Sequence, residues 1–252
     1  MIRALIIFLT VFGPPAAAQE VVAALSQNRV SITASFDGSE ILVFGAVKHD
    51  KPVDETMPLD VIVTITGPKQ PIIVRRKERV AGIWINTDAV DVDEAPSFYS
   101  ISTTRPLAEI LSDLEILRYK ISINRTIRSV GAPQDIMDPG NFTDALIRIR
   151  TKNGLYQLRE NTAFLAEDTL FRTNVALPSN LVEGSYTANI YLTRDRKVIS
   201  TSQSVINVQK VGLERWIYSL AHERPLIYGI LSLAIAIAAG WTASAVFRYL
   251  RG

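Results

Sequence analysis

Residues 226–247 form an unbroken stretch of 22 residues without a charged side chain, and no other feature of this 252-residue chain restricts its fold as strongly. At roughly 1.5 Å per helical residue the stretch covers about 30 Å of hydrocarbon, so it predicts a transmembrane α-helix. Arg248 and Arg251 follow it with no acid, whereas the mixed run His222-Glu223-Arg224 precedes it. The positive-inside bias therefore assigns the tail 248–252 to the cytoplasm and the bulk of the chain to the other side of an inner membrane.

The amino-terminal end leads to the same topology by a separate route. Arg3, the apolar run 4–12, Gly13-Pro14-Pro15 and the small-residue ending Ala16-Ala17-Ala18 have the layout of a cleavable signal peptide over 1–18. The apolar run is too short to span a bilayer. The expected location is single-pass, with the N-terminal domain periplasmic. Cysteine is absent, which removes disulfides, thiolate metal sites and thiol nucleophiles, so the exported part has to be held by apolar burial. The formal net charge of +2 disappears once Arg3, Arg248 and Arg251 are set aside, leaving 24 basic against 25 acidic side chains. A nucleic-acid partner has no support in that balance.

Between the two hydrophobic ends, alternation dominates. In residues 29–36, Val30, Ile32, Ala34 and Phe36 take one face and Arg29, Ser31, Thr33 and Ser35 the other, as a half-buried strand requires. Similar β-branched and aromatic runs at 41–47, 60–66, 72–76, 80–86 and 98–103 are punctuated by Asp37-Gly38, Gly67-Pro68 and Ala95-Pro96. The period then changes. Pro106 opens a segment in which Leu107, Ile110, Leu111, Leu114 and Leu117 follow helical spacing, predicting one capping helix over 106–118.

Turn residues at 131–140 suggest a linker, after which Phe142, Ala145, Leu146 and Ile149 mark a short helix that Asn141 can cap. Strands resume at 170–177, 185–193 and 197–208, the last two joined as a hairpin through Thr193-Arg194-Asp195-Arg196. In Glu183-Gly184-Ser185-Tyr186-Thr187-Ala188 the tyrosine is placed as in the tyrosine corner of immunoglobulin-like domains, with an ordinary strand tyrosine after a glycine turn as the alternative. The fold class expected is mainly β. It comprises two immunoglobulin-like β-sandwich units, 19–130 and 141–210, with short amphipathic helices, plus a C-terminal transmembrane helix.

Several local runs together resemble one family. They are Val43-Phe44-Gly45-Ala46, Thr66-Gly67-Pro68, Arg76-Lys77, Val80-Ala81-Gly82-Ile83-Trp84-Ile85-Asn86, Pro96-Ser97-Phe98-Tyr99, Ser102-Thr103-Thr104-Arg105-Pro106-Leu107, Leu170-Phe171-Arg172 and Gly184-Ser185-Tyr186. Across nearly its whole length the chain resembles the alphaproteobacterial putative transmembrane protein family. The resemblance implies a single-pass exported membrane protein, often encoded near sulfite-exporter-type permeases. It implies no catalytic residues and no cofactor.

Catalysis finds little material. The two histidines, His49 and His222, lack a helpful sequence neighbour, and no serine-hydrolase or paired-histidine metal motif occurs. Asp88, Asp91, Asp93 and Glu94 form the best metal candidate, since a hard cation takes several carboxylate oxygens, although a solvated acidic loop explains them as well. Arg75, Lys77 and Arg79 would share one face of a strand. That row could hold sulfate, phosphate or a lipid headgroup, or simply discourage edge-to-edge pairing. Trp84 is expected in the core. If exposed with Phe98 and Tyr99, it would form a contact patch for a partner protein.

The membrane end gives the clearest functional hint. Leu213, Trp216, Ile217 and Leu220 make an apolar stripe within 211–225, as in an amphipathic helix lying along a lipid interface. Ser232, Ala236, Gly240 and Ser244 recur every four residues in the span, a small-residue face against which another helix can pack. The function expected is a non-enzymatic accessory subunit or partner-binding module of an inner-membrane complex, such as a transporter. Its partners would be the lipid bilayer and an integral membrane protein or a second copy. The alternatives are a periplasmic small-anion or metal-binding protein and an enzyme whose site is invisible in sequence.

Overall fold

The computed structural model describes residues 20–33, 36–48, 58–130 and 136–251. The expected signal segment, the loop holding His49 and the first half of the expected linker lie outside the described residues. The chain forms β1 (Glu20–Leu25), β2 (Arg29–Ile32), β3 (Ser39–Lys48), β4 (Asp60–Thr66), β5 (Lys69–Val80), β6 (Ile83–Pro96) and β7 (Tyr99–Thr103). The helices α1 (Leu107–Ile110), α2 (Asp113–Tyr119), α3 (Ile123–Thr126) and α4 (Pro139–Lys152) follow. Then come β8 (Tyr156–Arg159), β9 (Phe164–Ala166), β10 (Leu170–Leu177), β11 (Gly184–Arg194) and β12 (Lys197–Lys210), and finally α5 (Leu213–Glu223) and α6 (Pro225–Arg251).

The chain is mainly β, with its core between two sheets. One has the order β1-β3-β10-β9 and the other β2-β12-β11-β4-β7-β8. The expected division into units 19–130 and 141–210 is corrected here: β3 pairs with β10 and β4 with β11, so both halves of the chain contribute to both sheets. The cause is visible in β4, buried at every position from Asp60 to Ile65. A strand hidden on both faces belongs in a sheet centre, and the neighbour on its open edge has to come from the second half. Val61, Val63 and Ile65 lie in register with Leu192, Ile190 and Ala188, and this face packs in one core with Ile41, Val43, Phe171 and Val175 of the first sheet. Burying each such side chain stabilises the fold by roughly 1.5–3 kcal/mol.

Tyr186 is 1% exposed, and its hydroxyl donates to the Val182 carbonyl oxygen at 2.7 Å, the contact expected of a tyrosine corner. On the opposite face of the larger sheet, α1 to α3 cover Ile62, Ile101 and Tyr99 with Ile110, Leu111 and Ile121. The single helix expected over 106–118 is broken instead. Leu111 is extended, Ser112 restarts the chain as the cap of α2 by accepting from the Glu115 amide, and Leu114 and Leu117 point to solvent. Glu115 is buried there because its carboxylate accepts the Val198 amide at 3.1 Å, which ties α2 to the β11–β12 hairpin. The buried Asp60 is held by the Thr104 hydroxyl at 2.7 Å and by both sides of the Arg105 guanidinium fork.

Candidate functional site

The stretch expected as separate strands at 72–76 and 80–86 is one long hairpin, β5–β6. Its turn is Ala81-Gly82, both at positive φ (50° and 87°), the pair of conformations a two-residue hairpin turn of type I′ uses. Gly82 is therefore a turn residue with open space around it. The ladder of β4 and β7 runs into this hairpin without a gap: the Gly67 amide donates to Phe98 O and the Ser97 amide to Pro68 O, each at 2.8 Å. The result is a ribbon that leaves the sandwich as a finger.

Helix α4 buttresses the finger from its base to its middle. At the base, Arg150 donates to the Ser97 carbonyl at 2.8 Å and Tyr156 donates to Pro96 O at 2.9 Å. Burial pushes the Tyr156 phenol up to about 12. Along the shaft, Val74, Val90 and Val92 pack on Phe142 and Leu146. At the upper end Arg76 lies 4.7 Å above the Phe142 ring centroid and bridges Asp138 at 2.6 Å and Asp88 at 3.3 Å. The Arg76 hydrogen bond, helped by Asn141, holds the Asp138 carboxyl below the usual carboxylate range.

Beyond Arg76 no other element among the described residues packs on the finger, and every residue from Lys77 to Thr87 is exposed. Trp84 is 68% and Ile83 64% exposed, with Val80 and Ile85 beside them, so the core position expected for Trp84 is corrected. Phe98 and Tyr99 are buried and take no part in a surface patch. The alternation of β5 places Arg75, Lys77 and Arg79 on one face, with Trp84 directly opposite Arg79 on the neighbouring strand. Arg79 makes only a 3.4 Å contact to the Gly82 carbonyl, and none of the three forms an ion pair among the described residues.

The acidic cluster is not a loop but part of β6. Asp88 pairs with Arg76, Glu94 with Lys69 at 3.3 Å, and Asp93 accepts the Val130 amide at 2.7 Å. Alternation sends these carboxylates to different sides of the ribbon, so Asp88, Asp91, Asp93 and Glu94 do not converge on one point. Among the described residues no group of histidine, cysteine and carboxylate side chains is arranged to hold a metal ion. His222 stacks on Tyr218 with ring centroids 4.0 Å apart, and its ring meets the Tyr218 carbonyl at 2.9 Å.

A second surface lies on the open face of the smaller sheet. Val22, Phe44, Phe164 and Leu170 line a groove of about 690 Å³ that is almost wholly apolar, with Arg172 set 5.4 Å from the Phe164 ring. The sequence carried a signal for it: in 41–47 both faces are apolar, Ile41, Val43 and Val47 on one and Leu42, Phe44 and Ala46 on the other. Gly45 falls on the Ile41, Val43 and Val47 side, where a side chain would strike the Val22 carbonyl oxygen and the Phe171 ring.

The membrane end follows the expected boundaries closely. Trp216 and Ile217 of α5 are exposed and Leu220 is half-buried. The span Pro225–Arg248 has a mean hydropathy of 2.0 and none of its most apolar window is buried. Ser232, Ala236, Gly240 and Ser244 all lie on it in the open, Gly240 with nothing within 4 Å of its missing side chain. A two-sheet β-structure ending in one exposed apolar helix of this length defines a membrane protein with one candidate C-terminal transmembrane segment. The chain belongs to the family described as putative transmembrane protein (Alph_Pro_TM), whose model matches residues 20–249. No curated protein matches it.

Proposed function

We propose that this protein is a non-enzymatic ectodomain, anchored once in the inner membrane with its sandwich in the periplasm and its C-terminus in the cytoplasm. It serves as an accessory subunit or partner-binding module of an integral membrane complex, a transporter being the expected kind. The observation that carries this reading is the groove formed by Val22, Phe44, Phe164 and Leu170. An antiparallel sheet with one solvated face normally makes that face polar, and a contiguous apolar patch marks a surface another protein covers. The small-residue face of α6 supports the same reading, because it offers a second helix a close approach within the bilayer. The tyrosine corner at Tyr186 supports an immunoglobulin-like sandwich, a fold widely used for binding.

A small-anion carrier is the weaker reading. Arg75, Lys77 and Arg79 project from an open ribbon and do not enclose an ion. The test is a photo-crosslinking residue in place of Phe44 or Leu170, irradiated in native membranes. A discrete adduct with a multi-pass membrane protein is expected from both positions and not from Leu114, exposed on the helices that cover the outer face of the larger sheet. Absence of any protein adduct from the groove positions would overturn the reading.

A further inference from the structure

We infer that the tip of the β5–β6 finger is a second membrane contact, one that seats Val80, Ile83, Trp84 and Ile85 in the lipid interface while Arg75, Lys77 and Arg79 take anionic phospholipid headgroups. The first support is topological. Strands β4 and β12 both run antiparallel to β11 and are therefore parallel to each other, so they leave the sandwich at the same end. From that end β4 continues through Gly67 and Pro68 into the finger, and β12 continues into α5 and the spanning helix α6. The two exits are adjacent: a side chain on Gly184, which stands in register with Val208 of β12, would meet Pro68 at 3.0 Å. The finger thus emerges where the chain goes down to the bilayer.

Reach is sufficient. The 12 residues of β5 extend roughly 36 Å at about 3.3 Å per residue. The 11 residues of α5 cover only about 16 Å at 1.5 Å each before the span begins. Helix α4 stiffens the ribbon as far as Arg76, where the ring of Phe142 and the ion pair with Asp138 hold it. Past that support the ribbon carries Lys77 and Arg79 with one acid, Glu78, among Val80, Ile83, Trp84 and Ile85, and Arg75 lies just below it.

The chemistry of the tip selects the occupant. Tryptophan is favoured at the boundary between headgroups and hydrocarbon, and arginine and lysine beside it bind phosphate oxygens there. The cations are available because none forms an ion pair among the described residues, whereas Arg76, on the other face, is consumed by Asp88 and Asp138. The finger is also polarised along its length, with Asp91 and Asp93 nearer the base, which turns the cationic end toward a negative surface. Tethering by α6 makes the contact intramolecular, so modest affinity suffices.

The absence of cysteine permits a direct test on the full-length chain. Ile83→Cys carries an environment-sensitive NBD label, and the protein is reconstituted alone into vesicles of phosphatidylcholine with or without a third phosphatidylglycerol. With the anionic lipid, the label is expected to shift to the blue and to be quenched at least twofold by headgroup-proximal spin-labelled lipid, while Lys197→Cys at the far end is unaffected. The triple variant Arg75→Glu, Lys77→Glu, Arg79→Glu is expected to lose the quenching and keep the thermal unfolding midpoint of the parent, because these exposed side chains support nothing else. Emission at the water wavelength without quenching in anionic vesicles would overturn the inference. So would a blue shift confined to native membranes and insensitive to lipid spin label, which would assign the tip to a protein partner. Phe44 and Leu170 take no part in the measurement, so its outcome is independent of the groove.

Discussion

Asp138 is the residue on which the upper support of the finger depends. Its carboxylate accepts from Arg76 at 2.6 Å and from the Asn141 side-chain amide at 2.7 Å, and its pKa lies below the ordinary 3.8 chiefly because of the Arg76 hydrogen bond. A group whose folded pKa is depressed contributes stability that is complete above the unfolded value and is lost as the pH falls through the folded one. The clasp is therefore expected to be intact from neutral pH down to the ordinary carboxylate value of 3.8 and to open only as the pH falls further, through the depressed folded value. Hydrogen exchange of the 72–77 amides across that range checks it, and Asp138→Asn is expected to abolish the acid-side change. Among single residues, the sequence made the local pairings legible and the distant ones not. Tyr186 and its bond four residues upstream follow a sequence motif, and the shared face of Arg75, Lys77 and Arg79 follows from a period of two. Asp60 with Arg105, or Arg76 with Asp138, joins residues 45 and 62 positions apart, which no local pattern connects.

Among the elements, α4 is a brace whose expected apolar stripe holds at Phe142 and Leu146 but not at the exposed Ile149, and whose partner the sequence does not show. Phe142 and Leu146 were visible as an amphipathic face, yet what they cover is a finger that alternation alone had divided into two strands and an acidic loop. Ala81-Gly82 sits inside an apparently continuous β-branched run, and Thr87 is the extra residue of a bulge that shifts the register at Arg76/Lys77. Neither appears in periodicity, because a two-residue turn flanked by apolar side chains hides in the pattern. An isolated two-stranded ribbon is only marginally stable, so the brace has to supply its order. Phe142→Ala removes the ring from beneath Arg76 and from Val74, Val90 and Val92, a loss of roughly 3 kcal/mol for a buried aromatic. Hydrogen exchange is expected to quicken across 72–92 by one to two orders of magnitude while the paired core of β4 and β11 keeps its protection. Uniform loss throughout the sandwich would contradict a local brace.

For the whole molecule, the chain order conceals the assembly. A sequence read from left to right places a boundary near residues 131–140, whereas the sheets interleave strands from either side of it around one core. The membrane end needed no such assembly: α5 and α6 are set by local composition, and both appear within a few residues of where the apolar runs predict them. The proposed arrangement has the sandwich outside the cytosol, the groove of the smaller sheet facing a protein partner, the finger turned toward the bilayer and one helix crossing it. Topology decides whether any of this is possible. With no native cysteine to interfere, Lys197→Cys and Arg251→Cys can be probed separately by a membrane-impermeant maleimide on intact spheroplasts. Labelling of Lys197→Cys at once, with Arg251→Cys reacting only after the membrane is opened and the protein resisting carbonate extraction, is the expected result. The reverse labelling pattern, or release of the full-length protein by carbonate, would contradict it.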